Sequence, residues 1–253
     1  MIRTLLIIAA ASLVACVLSI GGFLAVGGVD AIRNGEFEFG PRHWRTDSRH
    51  DHDGRHGRMR DAGPTISRTL VWNGTDRLQV DLDADIAFRQ APTASVTISG
   101  PKGLVDQVQL ENGRLRLADG GTPFHFDHDG RDLRITISAP AVRQFALNGS
   151  ARLEVADYDQ PDLALSIAGS GEVQIRGKTQ SAALDIARSG EADLEGLTLA
   201  VARVSVAGSG DARLAPTDSA DVKIAGSGDV TLQKRPPVLS SNISGSGDLN
   251  FED

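Results

Sequence analysis

Two residue types return at a fixed spacing through the C-terminal half of this chain, and both could contact a ligand. A serine and, two residues later, a charged residue recur every 18 to 20 residues. Five of the six charged residues are carboxylates, whose oxygens suit hard cations such as calcium. The serines are Ser150, Ser170, Ser189, Ser209, Ser227 and Ser246, and the charged residues are Arg152, Glu172, Glu191, Asp211, Asp229 and Asp248.

If equivalent residues stack, the five carboxylates form a row with neighbours about 5 Å apart, and each neighbouring pair costs about 1 kcal/mol in water. Two explanations are open. Each carboxylate accepts hydrogen bonds from turn N–H groups, with Arg152 neutralising one end, or the row binds calcium. The period differs from that of the nonapeptide calcium repeats. We predict no metal and no cofactor, and treat the serines and carboxylates from Ser170 to Asp248 as a candidate binding surface.

The serines could be read as nucleophiles, but catalytic partners are missing from the repeats. No G-x-S-x-G elbow surrounds any of them, and none of the six histidines lies within a repeat. His125, Asp127, His128 and Asp129 form one compact cluster, which is either a polar surface loop or a loop metal site. The H-E-x-x-H, P-loop and dinucleotide-binding motifs are absent as well. We therefore predict that the chain is not an enzyme.

The repeats that carry these residues have the pattern of a strand, a tight turn and a second strand. In copies such as 165–175 and 222–232, apolar and polar residues alternate on both sides of Gly-Ser-Gly, where glycine permits a sharp bend. A period of about 20 residues is too short for helical repeats. We predict an all-β, single-chain parallel β-helix, a solenoid of such coils. The stacked aliphatics would form an inner column of Ile167, Ile186, Val206, Ile224 and Ile243.

Residues 65–140 also carry strand-like runs, although the Gly-Ser-Gly turn is absent from them. This region is interpreted as the irregular first coils and cap of one β domain, 65–253, whose regular repeats occupy 141–253. A separate small sandwich is the alternative. A cap is needed because the open end of a parallel stack presents unpaired strand edges. The predicted strands are 68–72, 77–88, 95–99, 108–117 and 132–138, with a hairpin turn at Asn112-Gly113.

The N-terminal segment is apolar, because residues Thr4 to Val29 carry no charge. As a helix they would extend about 39 Å, enough to cross a bilayer core of about 30 Å. Residues 1–29 are predicted to be an uncleaved signal anchor. A cleaved signal peptide and a lipoprotein signal with lipidation at Cys16 are the alternatives. Each of the three places the rest of the chain outside the cytoplasm.

Residues 30–64 are polar and mixed in charge, and we predict that they form a disordered tether. The tether histidines have no fixed metal-ligand spacing and would gain positive charge below about pH 6.5. They are His43, His50, His52 and His56. The net charge of −7 gives no basic surface, so we predict no nucleic-acid partner.

With these motifs the chain resembles the bacterial "putative auto-transporter adhesin" head domain family, also called the head GIN domain, over roughly residues 66–253. The resemblance depends on the G-S-G-[DE] turns and on the upstream order VDLDADIAFRQAPTASVTISGP, GRLRL and LRITISAP. The turns are at 169–172, 208–211, 226–229 and 245–248. The resemblance implies a mainly parallel β-helix, an exported or membrane-anchored location and an adhesive role without catalytic residues.

Two copies depart from the turn motif of this family. Gly149-Ser150-Ala151-Arg152 is interpreted as the end of the regular array. In Arg188-Ser189-Gly190-Glu191 a bulky cation stands where the other copies have glycine. We expect that turn to differ in backbone conformation.

Together these observations predict a non-enzymatic binding or adhesion module of the cell envelope. It would be held at the membrane through residues 4–29, with its β domain in the periplasm or outside the cell. Its partner would be an unknown envelope or cell-surface glycan or protein. Two alternatives stay open. A polysaccharide-active β-helix enzyme would turn over envelope polysaccharide, and a self-associating envelope scaffold would sediment in a concentration-dependent way.

Overall fold

The computed structural model describes residues 64–118 and 133–252, which contain 17 strands and one short helix. The first strands are β1 (Thr65–Leu70), β2 (Arg77–Asp81), β3 (Asp85–Gln90), β4 (Ser95–Pro101), β5 (Val108–Glu111) and β6 (Arg114–Leu117), with the helix α1 (Lys102–Val105) after β4. The strands that follow are β7 (Arg134–Ala139), β8 (Gln144–Leu147), β9 (Arg152–Asp159), β10 (Asp162–Ile167), β11 (Glu172–Lys178), β12 (Ser181–Arg188), β13 (Glu191–Gly208), β14 (Asp211–Gly226), β15 (Val230–Leu232), β16 (Val238–Gly245) and β17 (Leu249–Phe251).

Two ladders of parallel strands build the fold, one on each side of the turns. The entry ladder, whose strands lead into the turns, runs β6, β2, β8, β10, β12, β13, β14 and β16. The exit ladder, whose strands leave the turns, runs β7, β3, β9, β11, β13, β14, β15 and β17. β13 and β14 are long enough to serve both ladders. The predicted all-β fold with solenoid-like stacking is confirmed.

The two ladders enclose columns of stacked apolar side chains. Ile167 lies in register with Ile186, Ile186 with Val206, and Val206 with Ile224. All four side chains are buried. Ile243 continues the column but is 43 % exposed, because among the described residues no further coil covers it. The predicted inner column is therefore confirmed, since alternate residues of each strand face the core.

One predicted strand is wrong, because the run 77–88 is two strands separated by a turn at 82–84. β2 pairs with β8 and β3 with β9, so this segment is a coil stacked below the first Gly-Ser-Gly copy. In its turn, the Asp83 carboxylate accepts a 2.9 Å hydrogen bond from the Ser150 N–H. Parallel stacking thus continues past the copy at 149–152, which was expected to end the array. The sequence hides this turn because its residues keep the alternation of the strands.

Antiparallel strands close the end of the solenoid beyond β2 and β3. β4 pairs antiparallel with β1 and β7, and β5 pairs antiparallel with β6. The predicted hairpin turn is confirmed, since Asn112 and Gly113 both have positive φ, 50° and 78°. α1 and β5 bring Val105 and Val108 into the core, where neither has exposed surface. This end therefore combines strand directions that the parallel repeat alone did not predict.

Several predictions concern residues outside the described ranges. They are the signal anchor 1–29 with Cys16, the tether apart from Pro64, and the cluster from His125 to Asp129. Within 64–118 and 133–252, no helix combines the length and the apolar character that a bilayer crossing requires.

Asp81, at the end of β2, should make the stability of the fold sensitive to acid. Burial raises the pKa of its carboxyl, but hydrogen bonds from Gln79, Asn148 and Arg114 outweigh burial and hold the pKa below its usual value. The stability that Asp81 contributes is therefore present above about pH 4 and is lost as the pH falls through the lowered pKa. We expect Asp81→Asn to lower the free energy of unfolding by about 1 to 2 kcal/mol at pH 7.

Urea denaturation of the wild type and of Asp81→Asn at a series of pH values would measure this effect. The difference between the two proteins should be constant from neutral pH to about pH 4 and should shrink below it. A difference that persists unchanged in stronger acid would mean that the charge of Asp81 does not contribute.

Candidate functional site

The stacked turns form a ridge along one edge of the solenoid, which we call the turn ridge. Serine N–H groups connect its turns by donating to the carbonyl of the first residue in the neighbouring turn, at 2.8 Å from Ser227 to Gly208 and 2.8 Å from Ser246 to Gly226. The ridge serines are all exposed. The structure therefore brings the predicted serine column together. The ridge consists of residues 149–151, 169–171, 188–190, 208–210, 226–228 and 245–247.

At the third position of the later ridge turns, glycine is required because the neighbouring turn lies too close for a side chain. A Cβ atom at Gly228 would lie 2.1 Å from the Gly210 carbonyl oxygen, and one at Gly247 would lie 2.1 Å from the Gly228 oxygen. These third residues of the triplets are buried, whereas the serine before each is exposed. The third residue of each triplet thus packs against the neighbouring turn, while the serine hydroxyl is exposed. Serines of neighbouring turns follow one another at the spacing of stacked strands, about 4.8 Å.

Arg188 occupies the first position of its turn, where the later copies have glycine. It lies in register with Gly208, and its φ is 83°, compared with 134° at Gly208 and 146° at Gly226. The turn thus differs in backbone conformation, as expected, but it keeps a positive φ. A positive φ costs a residue with a Cβ atom about 1 to 2 kcal/mol.

Arg188→Gly should therefore stabilise the protein, by about 0.5 to 1 kcal/mol after the larger unfolded-state entropy of glycine is subtracted. Thermal unfolding followed by circular dichroism would measure the change. Arg203→Gly is the matched control, because Arg203 is an exposed β13 residue without a positive φ. There glycine should destabilise the strand. Equal destabilisation by both substitutions would contradict the strain at Arg188.

The predicted charged residues form a row along the exit ladder, beside the ridge. Glu172 lies in register with Arg152 and Glu191, and Glu191 with Asp211. Arg152 donates two hydrogen bonds, of 2.9 and 2.6 Å, to one carboxylate oxygen of Glu172, as expected for the end of the row. Arg213 donates a 2.6 Å hydrogen bond to Glu191, which raises the pKa of its guanidinium. Two of the five carboxylates thus have an arginine partner.

Main-chain N–H groups donate hydrogen bonds to the carboxylates of two of the aspartates. Asp211 accepts a 3.0 Å hydrogen bond from the N–H of Asp229, and Asp229 accepts a 2.9 Å hydrogen bond from the N–H of Asp248. Each carboxylate thus contacts the backbone of the next coil, and these hydrogen bonds offset part of the repulsion within the row. These donors match the local explanation of the row. In the part of the chain that the structure describes, His, Cys, Asp and Glu form no group of three or more suited to a metal.

Two parts of this row were not predicted from the sequence. Asp85 lies in register with Arg152 on one side and Arg134 on the other, so the row continues with alternating charge below the first repeat. Arg213 is the second part, and it follows Asp211 by two residues and so lies on the same face of the strand. An alignment of 85–90 with the strands after the turns would have found Asp85.

A shallow hollow of about 220 Å³ lies on the outer face of the entry ladder. Its lining includes Ala164 and Ala183, with Arg143, Asp162 and Arg203 around them, and it includes no residue of the turn ridge. The ridge therefore lies outside this hollow, and its serines are exposed.

A family model described as "Putative auto-transporter adhesin, head GIN domain" matches residues 76–236. The chain belongs to this family. Among solved structures, this head GIN domain is similar to "a putative adhesin" from Bacteroides fragilis, with 18 % identity and a TM-score of 0.58 over 74 % of this chain and 97 % of that one.

The head GIN domain is also similar to a "Putative lipid binding protein" from Parabacteroides distasonis, with 20 % identity and a TM-score of 0.49 over 75 % of this chain and 97 % of that one. No protein with a curated description matches the chain. The predicted family resemblance is thus confirmed by the family match, and the likeness to the Bacteroides fragilis protein shows the fold.

Proposed function

We propose that this head GIN domain protein is a non-enzymatic adhesion module of the cell envelope and that the turn ridge is its binding surface. The observation that carries the proposal is the register of the ridge and of the carboxylate row beside it. Serines Ser170, Ser189, Ser209, Ser227 and Ser246 and carboxylates Glu172, Glu191, Asp211, Asp229 and Asp248 repeat once per coil.

A surface that repeats at about 4.8 Å presents many equal contacts rather than one enclosed site. Each contact is weak, but contacts made at once by a rigid array add up to a much larger avidity. Such a surface suits an extended or repeating partner, and an envelope glycan or protein is the partner that we propose. The family name supports an adhesive role of this kind.

The proposal includes presentation on a membrane. The uncharged stretch from Thr4 to Val29 would hold the chain in the bilayer, and the polar residues 30–64 would connect it to the β domain on the outer side of the cytoplasmic membrane. Protease treatment of spheroplasts, with detection of the β domain by antibody, tests this part. Full protection of the domain would contradict it.

Binding is tested with the full chain in detergent micelles, applied to arrayed envelope glycans and to an immobilised envelope-protein fraction. Ser209→Arg with Ser227→Arg obstructs the ridge. Ser166→Arg with Ser181→Arg is the matched control, because these serines are also exposed but lie on β10 and β12, outside the ridge. We expect the ridge variant to lose binding by about tenfold or more and the control to retain it.

Two results would overturn the proposal. Equal binding by the wild type and the ridge variant would show that the ridge is not the binding surface. A wild-type chain that is retained by neither array would contradict the adhesive function itself.

A further inference from the structure

The two ends of the solenoid protect their outermost strands differently. At the antiparallel end, β1 carries Arg68 on its inward face, opposite the core residue Ile98. The Arg68 guanidinium donates to the carbonyl oxygens of Val105, Asp106 and Val108 at 3.3 to 3.5 Å. An inward charge on an edge strand is a recognised barrier to pairing with another strand. The inward charge of Arg68 therefore disfavours pairing of another strand with β1.

The opposite end has no such protection. Among the described residues, the outer edges of β16 and β17 have no partner strand. β16 reads VLSSNISG over eight residues, without a charge or a proline. Its Ile243 is 43 % exposed, whereas the equivalent Ile224 is 1 % exposed. A long, uncharged edge with apolar side chains beside it is the feature that pairs with another strand.

The difference between the two ends favours a second copy of this chain as the partner of the β16 edge. We propose that two copies of this chain pair through their β16 edges, antiparallel and around a two-fold axis. With one open and one closed end, each copy can contribute only one such surface, so association stops at two. A second copy also has the same cross-section, so its β16 lies against β16 of the first copy and its β17 lies against β17.

The side chains on β16 suit this pairing. Any antiparallel register that keeps the inward residues on one side sets Leu239, Ser241 and Ile243 of one copy against the same set in the other. No like charges oppose one another along β16. The contact along β16 is about 26 Å long, the length of eight strand residues, and the shorter β17 adds about 10 Å on the second ladder.

The second ladder opposes the association in part. Asp248 and Glu252 flank β17, and the two-fold axis brings these carboxylates of the two copies near each other. Repulsion between exposed charges is screened by salt. The dimer should therefore become more abundant as ionic strength rises, the opposite of what ion pairs across an interface would give.

The test uses the full chain in membranes, with Cys16→Ala to remove the native thiol. Ser241→Cys and, separately, Asn242→Cys place a thiol at the middle of β16, where paired Cα atoms lie within disulfide distance. Ser166→Cys, on the outer face of β10, is the matched control. Mild oxidation should give a covalent dimer at least about fivefold more abundant for one of the β16 variants than for the control.

A blocking substitution completes the test. Ile243→Lys supplies the inward charge that protects β1, and it should abolish the cross-link at β16. Val71→Lys is its control, because Val71 is 92 % exposed and lies next to β1. It should leave the cross-link unchanged. The proposal is overturned if the β16 cysteine variants give no more covalent dimer than Ser166→Cys. It is also overturned if a β16 thiol is shielded from maleimide in a monomer, because another segment of this chain would then cover the edge.

Discussion

Gly228→Ala should remove cooperative folding of the C-terminal coils and lower the free energy of unfolding by at least about 3 kcal/mol. The new Cβ atom would lie 2.1 Å from the Gly210 carbonyl oxygen and 2.9 Å from the Val206 side chain. The oxygen belongs to the backbone of the neighbouring turn, so it cannot move without breaking the hydrogen bonds that stack the ridge. The clash therefore separates two coils instead of displacing one side chain.

Thermal unfolding followed by circular dichroism would measure this loss. Gly103→Ala is the matched control, because a Cβ atom at Gly103 in α1 would have no neighbour within 4 Å. Alanine there should be neutral or slightly stabilising, since it favours a helix over glycine. Equal melting temperatures for the two variants would show that the turns are not close-packed.

Phe145→Ala should destabilise the protein by about 3 to 5 kcal/mol. Phe145 is 1 % exposed in β8. Its ring meets that of Phe88 edge-on at 5.2 Å between centroids and that of Tyr158 at 6.2 Å. It is the bulkiest member of a column whose other members are leucine or valine, apart from Ser241 in β16. Removing it leaves a cavity that the surrounding strands cannot close, because their ladders fix the spacing.

Urea denaturation with Phe251→Ala as a matched control would test this cavity argument. Phe251 has the same side chain and lies on the last strand, but it is half-buried and is contacted by Arg235 at 5.5 Å from the ring centroid. Its loss should cost about 1 kcal/mol, because truncation there opens to solvent instead of creating a cavity. If both substitutions have the same small effect, Phe145 does not support the core.

The repeated half of this protein could be predicted from the sequence because its structure is set by short-range patterns. A period of two on each side of Gly-Ser-Gly specifies which residues face the core and where the chain bends. Repetition then brings equal positions into register, which is why the column from Ile167 to Ile224 and the exposed serines could be anticipated. The same reasoning gave the Arg152 contact with Glu172, since these residues hold equivalent positions in neighbouring coils.

The first half could be predicted less well, because its arrangement depends on partners far along the chain. Nothing local shows that residues 82–84 are a turn, since the alternation runs through them without a break. The turn is recognised only in the folded chain, where the Asp83 carboxylate accepts a hydrogen bond from Ser150, 67 residues away. The antiparallel pairing of β4 with both β1 and β7 is likewise a long-range choice, for which alternation gives no direction.

The sequence by itself determined the repeat, the inward and outward faces of its strands and the position of the ridge, since these depend on spacing within about 20 residues. The tertiary structure alone decided that β2 and β3 lie between the cap and the first Gly-Ser-Gly coil. It also decided that Arg213 and main-chain N–H groups bind three of the carboxylates, and that Arg68 lies on the inward face of β1. Among the described residues, no strand pairs with the outer edges of β16 and β17. These features are contacts between distant segments, and only the packed coil brings their atoms together.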